Sequence, residues 1–228
     1  MMTRHLRYLS LALALVATSA VIDTLPRIAT PQIPFWLMLP GTRPLDAVVN
    51  AFRSVQSASC AIGAGGGTCN ATITSVVTGN TIVIPAGVNS SDVGSGTADL
   101  GEWSLTYELT STTNVLITRA ITTSTFAATG HFTVLEFPGL FVTGVQRATK
   151  SLGAGTTSGT STITSVNTAR SNIVSCGSNV SGGGAGAYRG GSAGVFYTLT
   201  DATTVTTSKN AQDGVVTAVG CFQVLERR

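Results

Sequence analysis

The sequence has few charged residues. Only 10% of its 228 residues are Asp, Glu, Lys or Arg, whereas 43% are apolar, and Gly, Ser and Thr make up much of the remainder. This composition is typical of strands and turns rather than of surface helices. We therefore expect an all-β protein in which helix is a minor component.

Clustered basic residues are also lacking. The net charge of +3 arises before residue 54, where five arginines stand against two aspartates, and residues 54–228 sum to zero. A protein that binds nucleic acid normally presents a clustered basic face. The sequence thus argues against nucleic acid as a partner. Its weakly charged remainder favours contacts with protein, carbohydrate or further copies of the chain.

Residues that bind metals are scarce. The two histidines are His5 and His131, and the four cysteines include no C-x-x-C pair. Zinc sites normally need such ligands at such spacings. We therefore predict no metal ligands.

Catalytic and phosphate-binding motifs are incomplete. Residues 190–194 fit the nucleophile elbow G-x-S-x-G, but no histidine follows Ser192, as that elbow requires. The Gly-rich runs 63–67 and 182–186 lack the lysine and the following helix of a phosphate-binding loop, so we interpret them as turns. We predict no catalytic residues and no cofactor, and a hydrolase acting through Ser192 is the most remote alternative.

No apolar run is long enough for a standard membrane span. Arg4 and Arg7 precede an apolar stretch at residues 9–22, whereas a spanning helix needs about 20 residues. Together with small residues around Ala20, this is the pattern of a secretory signal. We assign residues 1–22 to a signal-like or anchoring segment, which is either removed or kept and buried against a partner.

Residues 23–53 are predicted to form an extended arm. Five of the seven prolines lie between residues 26 and 44, and proline removes an amide donor and disfavours helix at the residue before it. The apolar group at residues 33–39 lies among these prolines. The arm either packs on the domain that follows or inserts into a neighbouring subunit, because exposed apolar patches usually mark interfaces.

A tandem repeat organises the rest of the chain. Residues 105–136 reappear 90 positions later as residues 195–226, with 11 identities in 32 aligned positions and no gap. The same offset aligns residues 55–78 with 145–168, where 12 of 24 positions match. Internal repeats mark modules built one after another. We predict two domains, at residues 54–137 and 145–228, packed end to end by a short apolar linker at residues 138–144.

Apolar and polar residues alternate within each repeat. Leu105, Tyr107 and Leu109 share one face, and this period of two predicts half-buried antiparallel strands. Six strands are predicted per repeat; in the first they are 54–62, 69–77, 80–85, 103–110, 114–120 and 125–137. Gly130 and Gly220, inside the last strand of each repeat, predict a bulge or bend there.

These patterns predict an all-β fold with two tandem antiparallel β-sandwich domains, immunoglobulin-like or jelly-roll-like, after an extended N-terminal arm. Residues 86–102 and 176–194 differ most between the repeats and are rich in Gly and Ser. We expect them to be surface loops that carry differences in binding. Glu136 and Glu226 recur at matching strand ends, which favours a structural role over a catalytic one.

None of the four cysteines occupies a repeated position, and four cysteines allow three pairings. Cys60 and Cys69 flank the turn at residues 63–67 closely enough to bridge it. Cys176 and Cys221 are candidates for a bridge between neighbouring strands of the second repeat. An oxidising location favours both bridges, and the alternative is four buried thiols acting as small apolar side chains.

Three segments carry a resemblance to a known family: V-Q-R-A-T at residues 145–149, S-T-I-T-S-V-N-T-A-R-S at 161–171, and F-Q-V-L-E at 222–226. They resemble a tandem β-repeat of bacteriophage virion proteins of the tail, fibre or capsid-decoration kind, over residues 54–228. The resemblance implies a non-enzymatic structural component of a tailed phage virion. Its arm would anchor the subunit, and its repeats would contact other virion proteins, copies of itself, or a glycan or protein of the host surface during host attachment.

The alternative function is a secreted or surface-attached bacterial adhesin or binding module. In that case the segment at residues 1–22 is a cleaved signal peptide and the disulfides form outside the cell.

Overall fold

The computed structural model describes residues 52–90, 104–121, 124, 126–181, 194–209 and 216–228. These residues belong to one compact unit, Leu45–Arg228. The signal-like segment, the arm up to residue 51, the second Gly-rich run and the elbow motif apart from Gly194 lie outside the described residues.

The predicted all-β class is confirmed, and the sheets are antiparallel. The strands of the first repeat are β1 (Ser54–Ile62), β2 (Thr68–Thr72), β3 (Thr81–Ser90), β4 (Leu105–Ser111), β5 (Asn114–Arg119) and β6 (Ala128–Glu136). Those of the second are β7 (Val142–Leu152), β8 (Ser158–Thr162), β9 (Ser171–Ser181), β10 (Val195–Asp201), β11 (Thr204–Lys209) and β12 (Thr217–Arg227). A single turn of 3-10 helix, Thr78–Asn80, precedes β3. Within the described ranges, no helix is long and apolar enough to cross a membrane.

Each predicted strand has an observed counterpart, but β2 is shorter than predicted. It ends at Thr72 rather than at residue 77. The next residues turn aside to the β4–β5 hairpin, where the N–H groups of Ile73 and Val76 donate to the carbonyls of Thr113 and Thr112, each at 2.9 Å. Apolar alternation continues through this segment, so the pattern alone could not show where ladder pairing stops.

β3 and β9 are longer than predicted, because each continues into a segment that the sequence assigned to a loop. The pairing of β3 with β6 has a bulge between Pro85 and Gly87. The pairing of β9 with β12 is irregular opposite the step from Gly220 to Phe222. An extra residue at a bulge lets a strand continue past residues that would otherwise end it. Residues 86–90 and 176–181 are therefore strand. The rest of both predicted loops, apart from Gly194, lies outside the described part.

The strands form three sheets. One has the order β1-β6-β3 and one the order β10-β11-β8, and a six-stranded sheet has the order β2-β5-β4-β9-β12-β7. The six-stranded sheet takes three strands from each repeat and is joined where Thr106 of β4 pairs with Gly177 of β9. The repeats therefore share a sheet, a contact that the linker did not indicate.

Buried apolar side chains form three clusters. The first, within the first repeat, includes Tyr107, Val115, Ile117, Phe132 and Val134. The second, within the second repeat, includes Val205, Phe222 and Val224. The third combines Ile82 with Val142, Val145 and Leu225. The third cluster contains residues of both repeats, so apolar burial as well as strand pairing holds the repeats together.

Candidate functional site

A buried cation occupies the same position in each repeat. Arg119 is 1% exposed and Lys209 is 5% exposed, and the two are 90 residues apart. Both donate to main-chain carbonyls: those of Gly63, Gly66 and Phe126 for Arg119, and those of Gly153 and Val216 for Lys209. Gly153 and Val216 are the repeat counterparts of Gly63 and Phe126. Each cation therefore ties the turn after the first strand of its repeat to the start of the last strand.

The repeated glutamates also bind the main chain. Glu136 Oε1 accepts from the Val77 N–H at 3.0 Å. Glu226 Oε1 accepts from the Asn167 N–H, at the equivalent position, at 2.8 Å. Glu136 also accepts from the Ser54 hydroxyl at 3.0 Å and pairs with Arg53 at 3.5 Å. These contacts agree with the predicted structural role of both residues.

The predicted irregularities are found next to Gly130 and Gly220: the β9–β12 pairing shifts between Gly220 and Phe222, and the β3–β6 pairing shifts opposite His131. The extra residue lies on the partner strand, and each glycine itself makes room for a tyrosine. A Cβ atom at Gly130 would lie 2.9 Å from the Tyr107 hydroxyl oxygen, and one at Gly220 would lie 2.6 Å from that of Tyr197. A glycine within a strand often marks such a close approach.

The two tyrosines donate hydrogen bonds to the glycines at the bulges. The Tyr107 hydroxyl donates to the Gly87 carbonyl at 3.2 Å, and that of Tyr197 to the Gly177 carbonyl at 3.3 Å. Burial raises the pKa of each phenol to about 12. Both hydroxyls are therefore protonated at neutral pH and remain hydrogen-bond donors.

The joint between the repeats is built largely by side chains of the second repeat. Gln223, 1% exposed, lies against the edge strand β3. Its amide accepts from the Val83 N–H at 2.9 Å and donates to the Val83 carbonyl at 2.7 Å. One side chain thus satisfies a donor and an acceptor that an edge strand otherwise leaves unpaired.

Arg147 and Asn179 extend this joint. Arg147 donates to the carbonyls of Thr78 and Thr81. Burial lowers its pKa to about 10, although the nearby carboxylate of Glu108 acts in the opposite direction. Asn179, 3% exposed, lies within 3.4 Å of the Thr106 hydroxyl oxygen.

Replacing Gln223 with leucine should lower the free energy of unfolding by about 2–3 kcal/mol, because it leaves a buried N–H and a buried carbonyl of Val83 without partners. Gln146→Leu is the matched control. Gln146 makes the same two bonds, to Thr164 at 2.8 and 2.6 Å, but at an exposed site where water can replace them. Its loss should stay below about 1 kcal/mol. Urea unfolding measures both, and equal losses would contradict the role assigned to Gln223.

Both predicted disulfide pairs are present. Cys60–Cys69 connects β1 to β2, which belong to different sheets. Cys176–Cys221 connects the neighbouring strands β9 and β12 at the irregular pairing, and both of its cysteines are at most 2% exposed. The first bridge therefore crosses between sheets, and the second lies within one sheet beside the joint.

A surface hollow lies where the linker meets the C-terminal strand. Its volume is about 520 Å³, and its lining residues are Phe137, Phe141, Val142, Arg170, Leu225, Arg227 and Arg228. Leu140, next to the hollow in sequence, is 81% exposed, and Phe141 is 53% exposed. An apolar hollow with three arginines suits a partner segment that combines apolar and acidic side chains.

The fold places this hollow beside the end of the N-terminal arm. The Phe52 ring, which precedes β1, lies 5.2 Å from the Phe137 ring between centroids. The Phe141 N–H donates to the Pro138 carbonyl at 2.9 Å, and this turn directs the linker along the C-terminal strand. The sequence did not predict this site, because the linker was expected to pack the two repeats against each other. The sequence features that could have indicated the hollow are the apolar linker residues Leu140 and Phe141 and the basic pair Arg227 and Arg228.

The described residues contain no group of three or more His, Cys, Asp and Glu side chains placed to hold a metal ion. His131 lies on β6, where its Nε2 is 3.1 Å from Asn89 Nδ2. Ser192 lies outside the described residues. Comparison of the chain with protein families, with curated proteins and with solved structures finds no match.

Proposed function

We propose that the chain is a non-enzymatic structural component of a tailed bacteriophage virion, acting as a tail, fibre or capsid-decoration protein. The observation that carries this proposal is the use of the repeated charged residues. Arg119 and Lys209 bind main-chain carbonyls, and Glu136 and Glu226 bind main-chain N–H groups. A duplicated scaffold whose matched charges hold its own loops is suited to presenting surfaces rather than to performing a reaction.

Each repeat is proposed to be a compact antiparallel β-sandwich of immunoglobulin-like or jelly-roll-like type. In the first repeat β6 and β4 belong to different sheets, yet their Phe132 and Tyr107 rings lie 5.9 Å apart. The equivalent rings of the second repeat, Phe222 and Tyr197, lie 5.4 Å apart. Aromatic pairs at such distances are typical of side chains that interdigitate between two packed sheets.

The hollow is the proposed contact with another virion protein. Leu140 and Phe141 expose apolar surface, and a bound partner would remove that surface from water. Arg170 and Arg227 are exposed and available to pair with carboxylates at the rim of such a contact. The N-terminal arm, which enters the described part beside the hollow at Phe52, is the proposed anchor.

The two disulfides favour the second candidate function, a secreted or surface-attached adhesin. Disulfides form and persist in oxidising compartments, and Cys176–Cys221 and Cys60–Cys69 account for all four cysteines. In a virion the same bridges would form after release from the host cell.

Immunogold electron microscopy with antibodies against the full chain tests the choice between these functions. Label on tailed particles supports the virion role. Label on the surface of producing bacteria, with a purified chain whose mass shows a start near Ala20 or Val21, supports the adhesin and overturns the virion role.

Phe141→Asp tests the hollow. The substitution places a carboxylate on the apolar wall and should reduce the amount of protein bound per particle about tenfold, because a buried aromatic side chain often dominates an interface. Thr143→Asp is the matched control, since Thr143 is exposed nearby but does not line the hollow. Equal incorporation of both variants would rule the hollow out as the contact.

A further inference from the structure

The joint between the repeats uses one strand of each repeat, β4 and β9. The equivalent strands, β10 and β3, do not take part in this pairing. β4 of the first repeat pairs with β9 of the second. The repeat counterpart of β4 is β10, which is an edge strand of the sheet β10-β11-β8. The counterpart of the pairing segment of β9 is the end of β3, at residues 86–90.

Residues in the joint are buried, whereas the residues at the equivalent positions outside the joint are exposed. Thr106, in the joint, is 6% exposed, whereas Phe196, at the same repeat position, is 64% exposed. Asn179 is 3% exposed, whereas its counterpart Asn89 is exposed. Equivalent positions of the two repeats are therefore buried by the neighbouring repeat in one case and exposed in the other.

The bulge glycines give the sharpest contrast. A Cβ atom at Gly177 would lie 2.2 Å from the Leu105 carbonyl oxygen, so β4 sits directly against this residue. Gly87 also has a positive φ, +145° against +100° for Gly177, but no atom of the described residues lies within 4 Å of the same point. The first repeat thus has the same bulge that receives a strand in the second repeat, but no described residue occupies it.

We propose that these two open surfaces bind each other between copies of the chain: β10 of one copy docks at the Gly87 end of β3 of the next. The contact repeats the geometry by which β4 meets β9 within one chain. Because the two surfaces are different, the contact is head-to-tail and produces a ring or a filament rather than a closed dimer.

The chemistry of the docking strand suits this role. The main-chain groups on the outer edge of β10 are a template for a further strand. Phe196 adds an apolar side chain whose burial would stabilise the contact. Phenylalanine is enriched in the cores of protein interfaces.

The receiving sheet differs from its counterpart in the side chains that would face an incoming copy. Ser57 and Thr133 stand where the second repeat has Arg147 and Gln223. Arg147 and Gln223 contact β3 and the residues before it, so in the proposed contact shorter side chains face β9 of the incoming copy. The hydroxyl oxygens of Ser57 and Thr133 are 3.3 Å apart and bond each other. Val55, on the same sheet, is 59% exposed, whereas its counterpart Val145 is 8% exposed. Val55 adds exposed apolar surface to this face.

This inference goes beyond the proposed virion role and does not depend on it, because it concerns two surfaces of the same chain. Cysteine cross-linking tests the contact directly. The native cysteines are all in disulfides, so an introduced thiol is the only free one. Full-length Phe196→Cys is mixed with full-length Ala86→Cys under mild oxidation. The expected result is a covalent dimer that requires both variants.

Thr110→Cys mixed with Phe196→Cys is the control, because Thr110 is exposed on β4 away from the bulge. If this pair cross-links as well as the Ala86→Cys pair, or if neither does, the proposal is overturned.

Sedimentation velocity provides a second test. The wild-type chain should form species at multiples of its mass, and Phe196→Asp should shift them to the monomer. Leu140→Asp changes an even more exposed apolar residue near the hollow and should leave the distribution unchanged. A monomeric wild type, or assembly lost with Leu140→Asp and kept with Phe196→Asp, contradicts the proposal.

Discussion

Gly177→Ala should lower the free energy of unfolding by about 4 kcal/mol or more. The new Cβ would lie 2.2 Å from the Leu105 carbonyl oxygen and 3.2 Å from its carbon. These atoms belong to β4, which is held on its other side by β5, so they cannot move aside without loss of pairing. Two costs add in this variant. One is the clash of the new side chain with main-chain atoms, and the other is the positive φ of +100°, which a residue with a side chain adopts only under strain.

Gly87→Ala is the matched control for this substitution. Gly87 has the same repeat position and a φ of +145°, but its Cβ would enter open space. The substitution retains the backbone strain without the clash and should cost about 1–2 kcal/mol. Urea unfolding of both variants at the same low protein concentration measures the two losses. Losses of equal size would show that β4 does not press on Gly177.

Replacing Cys176 and Cys221 together with alanine should lower the free energy of unfolding by about 4 kcal/mol. The bridge closes a loop across a sequence separation of 45 residues, and its main effect is to restrict the unfolded chain. Alanine is preferred to serine, because both positions are buried and a hydroxyl there would need a partner.

The Cys60–Cys69 bridge is the comparison within the same chain. Its sequence separation is 9 residues, so removing both cysteines should cost about 2.5 kcal/mol. The midpoints of chemical unfolding should therefore fall further for the Cys176–Cys221 double variant. The reverse order would mean that loop closure is not the main contribution of these bridges.

The strands could be predicted from the sequence because their information is local and appears twice. Alternation through Leu105, Tyr107 and Leu109 identifies β4, and the 90-residue offset transfers that assignment to β10. The cysteine pairs were also predictable, since Cys60 and Cys69 flank one short turn. Repetition of Glu136 as Glu226 indicated a structural role, which the contacts to Val77 and Asn167 agree with.

The bulges could not be placed from local signals. Gly87 and Gly177 lie in segments rich in glycine and serine, which is equally typical of a loop. Their strands continue because bulges absorb the extra residue and because Tyr107 and Tyr197 bond the glycine carbonyls from another strand. The same tyrosines explain Gly130 and Gly220, whose role depends on a side chain that is distant in sequence.

Composition, alternation and the internal repeat were sufficient for the all-β class and the six strands of each repeat. They could not show that the repeats share a sheet, or that the linker and C-terminus form a hollow with three arginines. The pairing of Thr106 with Gly177 joins positions far apart in the chain, and no local pattern encodes such a contact. Thr106 and Phe196 hold the same repeat position, and only the folded chain shows that one is covered and the other exposed, because burial depends on which strand lies alongside.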